Sequence, residues 1–186
     1  TPDLTIHYRR GSYAALNLGE AQGRYDHAYQ LAQRTMPGPV KTDPKIKVYL
    51  YDQLKSKGFS RVRDREVHYR FSDEFRLTTP HEFLHIFLYE FNPRAPIRLE
   101  EGVCRLEERK RKKFKGAVHD IQYYQLVKLV PERRWTVREV FKDHYRDDDD
   151  GNIAAAFVAF TMQELGRQRF WEFYRDLDKK NWKDNL

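Results

Sequence analysis

The pentapeptide His81-Glu82-Phe83-Leu84-His85 has the residue types and the spacing of a zinc site. On a helix, positions i and i+4 lie one turn apart on the same face, so both imidazoles can face one ion. Glu82 is rotated by about 100° from His81, which places its carboxylate near a water at that ion without making it a ligand. The pattern predicts metal-assisted hydrolysis with Glu82 as the general base.

A structural role for the same residues is the alternative. A buried amphipathic helix can also contain two hydrogen-bonded core histidines. Thr79, Pro80 and Glu82 fit a capping box with proline at the first helical position, in which case Glu82 would only cap the helix.

Length and composition limit the class of protein. The 186 residues predict one domain, residues 1–186, with a core of its own. No run of about 18 apolar residues exists, so we expect no membrane span. The chain begins with Thr1, which predicts a processed or shortened form, and an exported bacterial location, periplasmic or secreted, is favoured. Cys104 is the only cysteine, which excludes disulfides within the chain and thiol-based zinc sites as well.

The net charge of +7 is partly concentrated in the basic block at residues 109–115. This block contains no glycine and a single aromatic residue, Phe114, near its end, whereas many nucleic-acid-binding segments interleave several of these residues with cations, so we interpret it as a solvated helix end. A nucleic-acid partner is therefore disfavoured. The acidic run at residues 147–150 lacks the alternate-position ligands of a calcium loop and predicts a solvated linker.

The hydrophobic pattern predicts an α+β fold. Alternation predicts strands at residues 4–8, 45–51 and 65–71. Helical periodicity and stop signals predict helices at about 16–36, 80–91, from 96 into the basic block, 119–130, 136–145, 153–165 and 167–178. A small mixed sheet with one helix, about residues 1–75, would thus precede a helical part at about 76–186, with the pentapeptide helix at the junction.

A catalytic zinc ion usually has a third protein ligand and one open position. The next histidine, His119, is far downstream and has no motif around it. A carboxylate from the following helix is the better candidate, but periodicity does not choose between Glu100 and Glu101. Gly102 favours Glu101, because a residue without a side chain would let this helix approach the pentapeptide helix closely.

The chain resembles the peptidase MA-like family of bacterial gluzincins, in which a His-Glu-x-x-His helix precedes a Trp-Leu-x-Glu-Gly-x-Ala segment. Here that segment is Arg-Leu-Glu-Glu-Gly-Val-Cys at residues 98–104, and looser similarity extends over nearly the whole chain. The resemblance implies a zincin-like fold, one Zn²⁺ ion and a peptide or protein substrate. It makes His81, His85 and Glu101 the ligands and Glu82 the base.

The chain departs from the family pattern in the second segment. Arg98 and Cys104 replace the usual Trp and Ala, and Arg105 stands where thermolysin-like enzymes have an acid that supports a ligand. Glu108, on the same helix face as Glu101, is a candidate for that supporting role. His144 and Tyr145 are weak candidates for stabilising the oxyanion, and a plain helix end is the favoured interpretation of this pair.

Analogy with gluzincins also makes residues 65–71 an edge strand beside the substrate. Two other functions remain open: a catalytically silent, zinc-stabilised binding module and a basic protease associated with nucleic acid. The intact Glu82 favours a catalyst, because a purely structural zinc site needs no base. The sequence leaves the oligomeric state open.

Overall fold

The computed structural model of the protein describes residues 2–75, 78–109, 136–141, 148–178 and 180. Its elements confirm the α+β class, since the described strands precede residue 71 and helices dominate the described remainder. The chain divides into two compact units, Thr1–Phe87 and Leu88–Leu186, and the boundary falls inside one continuous helix.

The first unit contains a four-stranded sheet. Its elements are β1 (Leu4–Tyr8), α1 (Tyr13–Leu16), α2 (Leu18–Thr35), β2 (Ile46–Tyr51), β3 (Gly58–Arg61), β4 (Glu66–Arg70) and the start of α3 (His81–Phe91). The strand order is β1-β2-β4-β3. The first three strands in this order are parallel, and β3 pairs antiparallel with β4.

Strand β3 is the strand that the sequence pattern did not predict, and the short helix α1 at Tyr13–Leu16 was not predicted either. Strand β3 has only four residues and begins with Gly58, so it lacks the alternation that marks the other strands. Its presence also makes the predicted edge position of residues 65–71 wrong. Strand β4 is paired on both sides, and the edge strands of the sheet are β1 and β3.

The inner face of the sheet packs on α2 and on the first turns of α3. The Tyr25 ring of α2 lies 5.0 Å from the Tyr69 ring of β4, and the Tyr29 ring lies 5.8 Å and 5.6 Å from those of Phe83 and Phe87. Burying an aromatic side chain of this size contributes about 1.5–3 kcal/mol. These contacts fix which side of α3 is buried.

The second unit is helical where it is described. It contains the end of α3, α4 (Ile97–Arg109), α5 (Val137–Val140), α6 (Asp148–Leu165) and α7 (Arg167–Asp176). Helix α4 packs closely on α6, because a Cβ atom at Gly102 would lie only 2.7 Å from the carbonyl oxygen of Ala154. Gly102 therefore lets α4 lie close to α6. The sequence alone predicts that it lets α4 lie close to the pentapeptide helix instead.

A buried ion pair joins α4 to α6. The Arg98 side chain is fully buried and donates to the Asp150 carboxylate at 3.1 Å and to the Glu139 backbone carbonyl. Asp148 to Asp150 form the start of α6, so the linker predicted for the acidic run is wrong for these residues. Asp150 lies inside because a guanidinium is there to pair with it.

The remaining helix predictions agree with the structure where they can be compared. Helices α2, α3, α4 and α7 match in position, and α6 begins earlier than predicted. The predicted helix at 119–130 and most of that at 136–145 lie outside the described residues. Within the described part of the chain, no helix has the length and apolar character needed to cross a membrane.

Candidate metal centre

Helix α3 begins at His81, and its start is tied to the sheet. The Leu84 N–H donates to the Pro80 carbonyl at 2.8 Å, which makes Pro80 the N-cap instead of the first helical residue. Glu82 is then the second helical residue, and the capping box predicted from Thr79 and Glu82 is not formed in that register. The Thr79 carbonyl instead accepts a hydrogen bond from the Tyr69 hydroxyl at 3.0 Å.

The two histidines of α3 lie on its less buried side. The rings of His81 and His85 have centroids 4.9 Å apart, with their planes at 67°. Both histidines and Glu82 are half-buried, whereas the rest of the first two turns is buried at Phe83, Leu84, Ile86 and Phe87. Apolar packing of one side thus presents two imidazoles and an acid together on the other.

Cys104 of α4 completes a group that could hold a metal ion. One ligand atom from each of His81, His85 and Cys104 lies within 4.8 Å of the other two. Zinc binds nitrogen at about 2.0–2.1 Å and sulfur at about 2.3 Å, so ligand atoms around one tetrahedral ion stand roughly 3.3–3.8 Å apart. Two imidazoles and one thiolate are donor types that zinc binds. The single cysteine of the chain led us to exclude thiol-based zinc sites from the sequence. That exclusion was too broad, because a site with two histidines needs only one thiolate.

Glu101, the ligand that the resemblance implies, lies on α4 one turn before Cys104. It is buried, and its carboxylate accepts a hydrogen bond from the Arg105 guanidinium at 2.6 Å. Glu100 and Glu108 are half-buried on the same helix. His119, His144 and Tyr145 lie outside the described residues.

Tyr174 of α7 is a further polar group near Cys104 that sequence reasoning missed. Its side chain is fully buried, and burial raises its pKa well above the usual value, with the charges of Glu100 and of an ionised Cys104 adding to the effect. Its hydroxyl therefore stays protonated. No local pattern in the sequence marks Tyr174, but Cys104 could have been found from its position three residues after Glu101 on one helix face.

Comparison with known proteins does not identify a family. The chain matches no protein-family model, and the searches of curated proteins and of solved structures find no significant match. A function is therefore proposed from the chemistry of its own side chains, chiefly those of the candidate metal centre.

Proposed function

We propose that the protein is a zinc-dependent peptidase whose His-Glu-x-x-His helix is of the kind found in gluzincins, with the third ligand, Glu101 or Cys104, to be decided by experiment. The observation that carries the proposal is the pair of imidazoles on consecutive turns of α3, with Glu82 beside them on the same half-buried side. The resemblance of the pentapeptide and of residues 98–104 to bacterial gluzincins supports it. The proximity of Cys104 supports a metal ion at this place.

His81 and His85 would hold the ion as neutral imidazoles. A bound Zn²⁺ supplies Lewis-acid polarisation of the scissile carbonyl and lowers the pKa of water toward about 7. Glu82 accepts the proton of the attacking water and donates it to the leaving amine. Burial of Phe83 and Phe87 holds these side chains in position, because the helix cannot rotate without exposing both rings.

The third ligand would come from α4. The resemblance favours Glu101, and the grouping of one Cys104 ligand atom within 4.8 Å of those of both histidines favours Cys104. A carboxylate and a thiolate carry the same charge, so either one leaves the site with a net charge of +1. That residual charge is what favours ionisation of a water there.

Metal content tests the ligand pair. Purified protein should contain about one zinc per chain by elemental analysis, and His81→Ala and His85→Ala should each lose most of it. His27→Ala is the matched control, because His27 is an exposed histidine of α2 and should leave the zinc content unchanged. Full zinc retention in both α3 variants would remove the basis of the proposal.

Cleavage of a peptide library tests the base. Glu82→Gln keeps the size of the side chain but cannot accept the proton. We expect this variant to retain zinc and its melting temperature, and to cleave roughly 10²- to 10⁴-fold more slowly. Parent-like cleavage by Glu82→Gln would make Glu82 structural. A parent that holds zinc and cleaves no peptide would establish the silent binding module instead.

A further inference from the structure

The outer face of the sheet, opposite α2, carries a row of stacked rings. Each strand contributes one ring: His7 from β1, Tyr49 from β2, His68 from β4 and Phe59 from β3. The centroids of successive rings lie 4.6, 4.8 and 4.3 Å apart, with interplanar angles of 16°, 8° and 6°. Because Phe59 ends the row on an edge strand, His68 covers only one of its ring faces, and the residue is 36% exposed.

Cations flank this terminal ring along the edge strand. Lys57, Phe59 and Arg61 are all exposed, whereas Gly58 and Ser60 between them are half-buried. This alternation places the ring and both cations on one face, with about 13 Å between the backbones of Lys57 and Arg61 at the usual rise of an antiparallel strand. We call Lys57, Phe59 and Arg61 the stacking face.

Glu66, an acid on this side of the sheet, already has hydrogen-bond partners. Glu66 accepts hydrogen bonds from the Lys47 ammonium at 3.2 Å and from the Tyr49 hydroxyl at 3.4 Å. The Arg61 guanidinium lies 3.9 Å from the same carboxylate, and the Arg61 side chain is 61% exposed. Positive charge therefore remains in excess around Phe59, which complements a polyanion.

A cavity lined by two more cations lies at the end of the neighbouring strands, although one of them, Arg70, also lies 3.7 Å from the exposed Glu74 carboxylate. It has a volume of about 480 Å³ and is lined by Gln53, Leu54, Lys55 and Arg70. It lies at the carboxyl ends of β2 and β4, where open parallel sheets commonly bind ligands. The Arg70 N–H donates to the Lys57 carbonyl at 3.2 Å, so the cavity adjoins the stacking face.

We infer that the stacking face and this cavity bind single-stranded nucleic acid. One unpaired base stacks on the open side of Phe59, and phosphates pair with Lys57 and Arg61 and enter the cavity beside Lys55 and Arg70. Single strands fit because stacking needs a base that is not held in a duplex, and because their backbones follow cationic surfaces. The stacking face also alternates cation, ring and cation along one strand edge.

The test is fluorescence anisotropy of a labelled oligothymidylate with the full chain at low and moderate salt. Phe59→Ala should weaken binding roughly 5- to 150-fold, the effect of losing one stacked base. Arg61→Gln should reduce the slope of log affinity against log salt by about one. Phe59→Tyr keeps a ring and should bind like the parent, which separates loss of stacking from loss of fold.

Two exposed residues elsewhere serve as matched controls. Phe160 of α6 is 55% exposed, and Arg24 of α2 has a side chain that is 42% exposed. Phe160→Ala and Arg24→Gln should leave the affinity and its salt dependence unchanged.

Three results would each overturn the inference. If the parent does not bind the oligothymidylate at low salt, the cations only protect the edge strand β3 against pairing with another chain. Parent-like affinity in Phe59→Ala would show that no base stacks there. Equal binding of a duplex or of polyglutamate would reduce the surface to an unselective attraction for polyanions. None of these outcomes depends on zinc or on peptide cleavage.

Discussion

Two side chains one turn apart on α4 compete for the third position at the proposed ion. Glu101 would have to give up its 2.6 Å ion pair with Arg105, whereas the Cys104 sulfur already lies within 4.8 Å of both imidazole ligand atoms. We therefore expect Cys104→Ser to lower zinc content and cleavage sharply, and Glu101→Gln to lower them less. Elemental analysis and the peptide assay measure both effects.

Glu100→Gln is the control for this pair. Glu100 is half-buried beside Glu101, and its substitution should change stability by less than about 0.5 kcal/mol. Cobalt substitution gives an independent signal, because only a thiolate ligand produces sulfur-to-cobalt charge-transfer absorption. If Glu101→Gln contains no zinc while Cys104→Ser contains a full equivalent, Glu101 is the third ligand.

His68 should make stability depend on pH. Burial, and then the charge of Arg61, lowers its pKa below 6.5 in the folded protein, although Glu66 partly opposes the shift. As the pH falls below about 6.5, the unfolded chain binds a proton that the folded chain does not, so the free energy of unfolding decreases. The loss continues down to the folded pKa and is absent at neutral pH.

Melting temperatures measured from about pH 7.5 to about pH 5 test this expectation. The parent should lose more stability over this interval than His68→Gln, which has no titrating ring at that position. Equal loss in the two proteins would show that other groups control the acid response.

Sequence spacing could predict His81, Glu82 and His85 as a unit because all three lie within two turns of one helix. The neighbours that fill in the site could not be predicted in this way. Cys104 belongs to a different helix, so the spacing within the pentapeptide gives no information about it. The pairing of Arg98 with Asp150 spans 52 residues and is equally invisible in a local pattern.

At the scale of elements, the packing of α4 on α6 depends on a missing side chain. A Cβ at residue 102 would meet the Ala154 carbonyl oxygen at 2.7 Å, so Gly102→Ala must push the helices apart. We expect a loss of about 1–3 kcal/mol in the free energy of unfolding. Urea denaturation measures it.

Gly23→Ala provides the comparison at an exposed position of a helix. A Cβ at Gly23 of α2 would meet nothing within 4 Å, so the substitution should instead stabilise by about 0.5–1 kcal/mol through helix propensity. Stabilisation by both substitutions would mean that α4 and α6 can separate at little cost.

The sheet shows where prediction from local pattern ends. Strands β1, β2 and β4 alternate apolar and polar residues, and this follows directly from burying one face of a sheet. Strand order does not follow from alternation, because any of the three predicted strands could occupy an edge. The short strand β3 decided the order, and its four residues carry too little pattern to be recognised.

For the whole molecule, a bound metal ion should raise the free energy of unfolding. A ligand that binds only the folded state, at a free concentration of about 100 times its Kd, raises the free energy of unfolding by about 2.7 kcal/mol. For a chain of this size that corresponds to roughly 5–10 °C in melting temperature. We expect a chelator to lower the melting temperature of the parent by such an amount and to leave the double variant His81→Ala, His85→Ala unaffected. An equal drop in both would assign the effect to another site.

The parallel pairing of β1 with β2 has a consequence for how the first unit folds. Leu4 pairs with Ile46, so this contact closes a loop of about forty residues, whereas Arg61 and Glu66 of β3 and β4 close a short hairpin. Because loop closure must precede the gain from long-range contacts, the hairpin should form early and β1 should dock last. Pulse-labelling of backbone amides during refolding should therefore find β4 protected against β3 while β1 still exchanges freely with solvent.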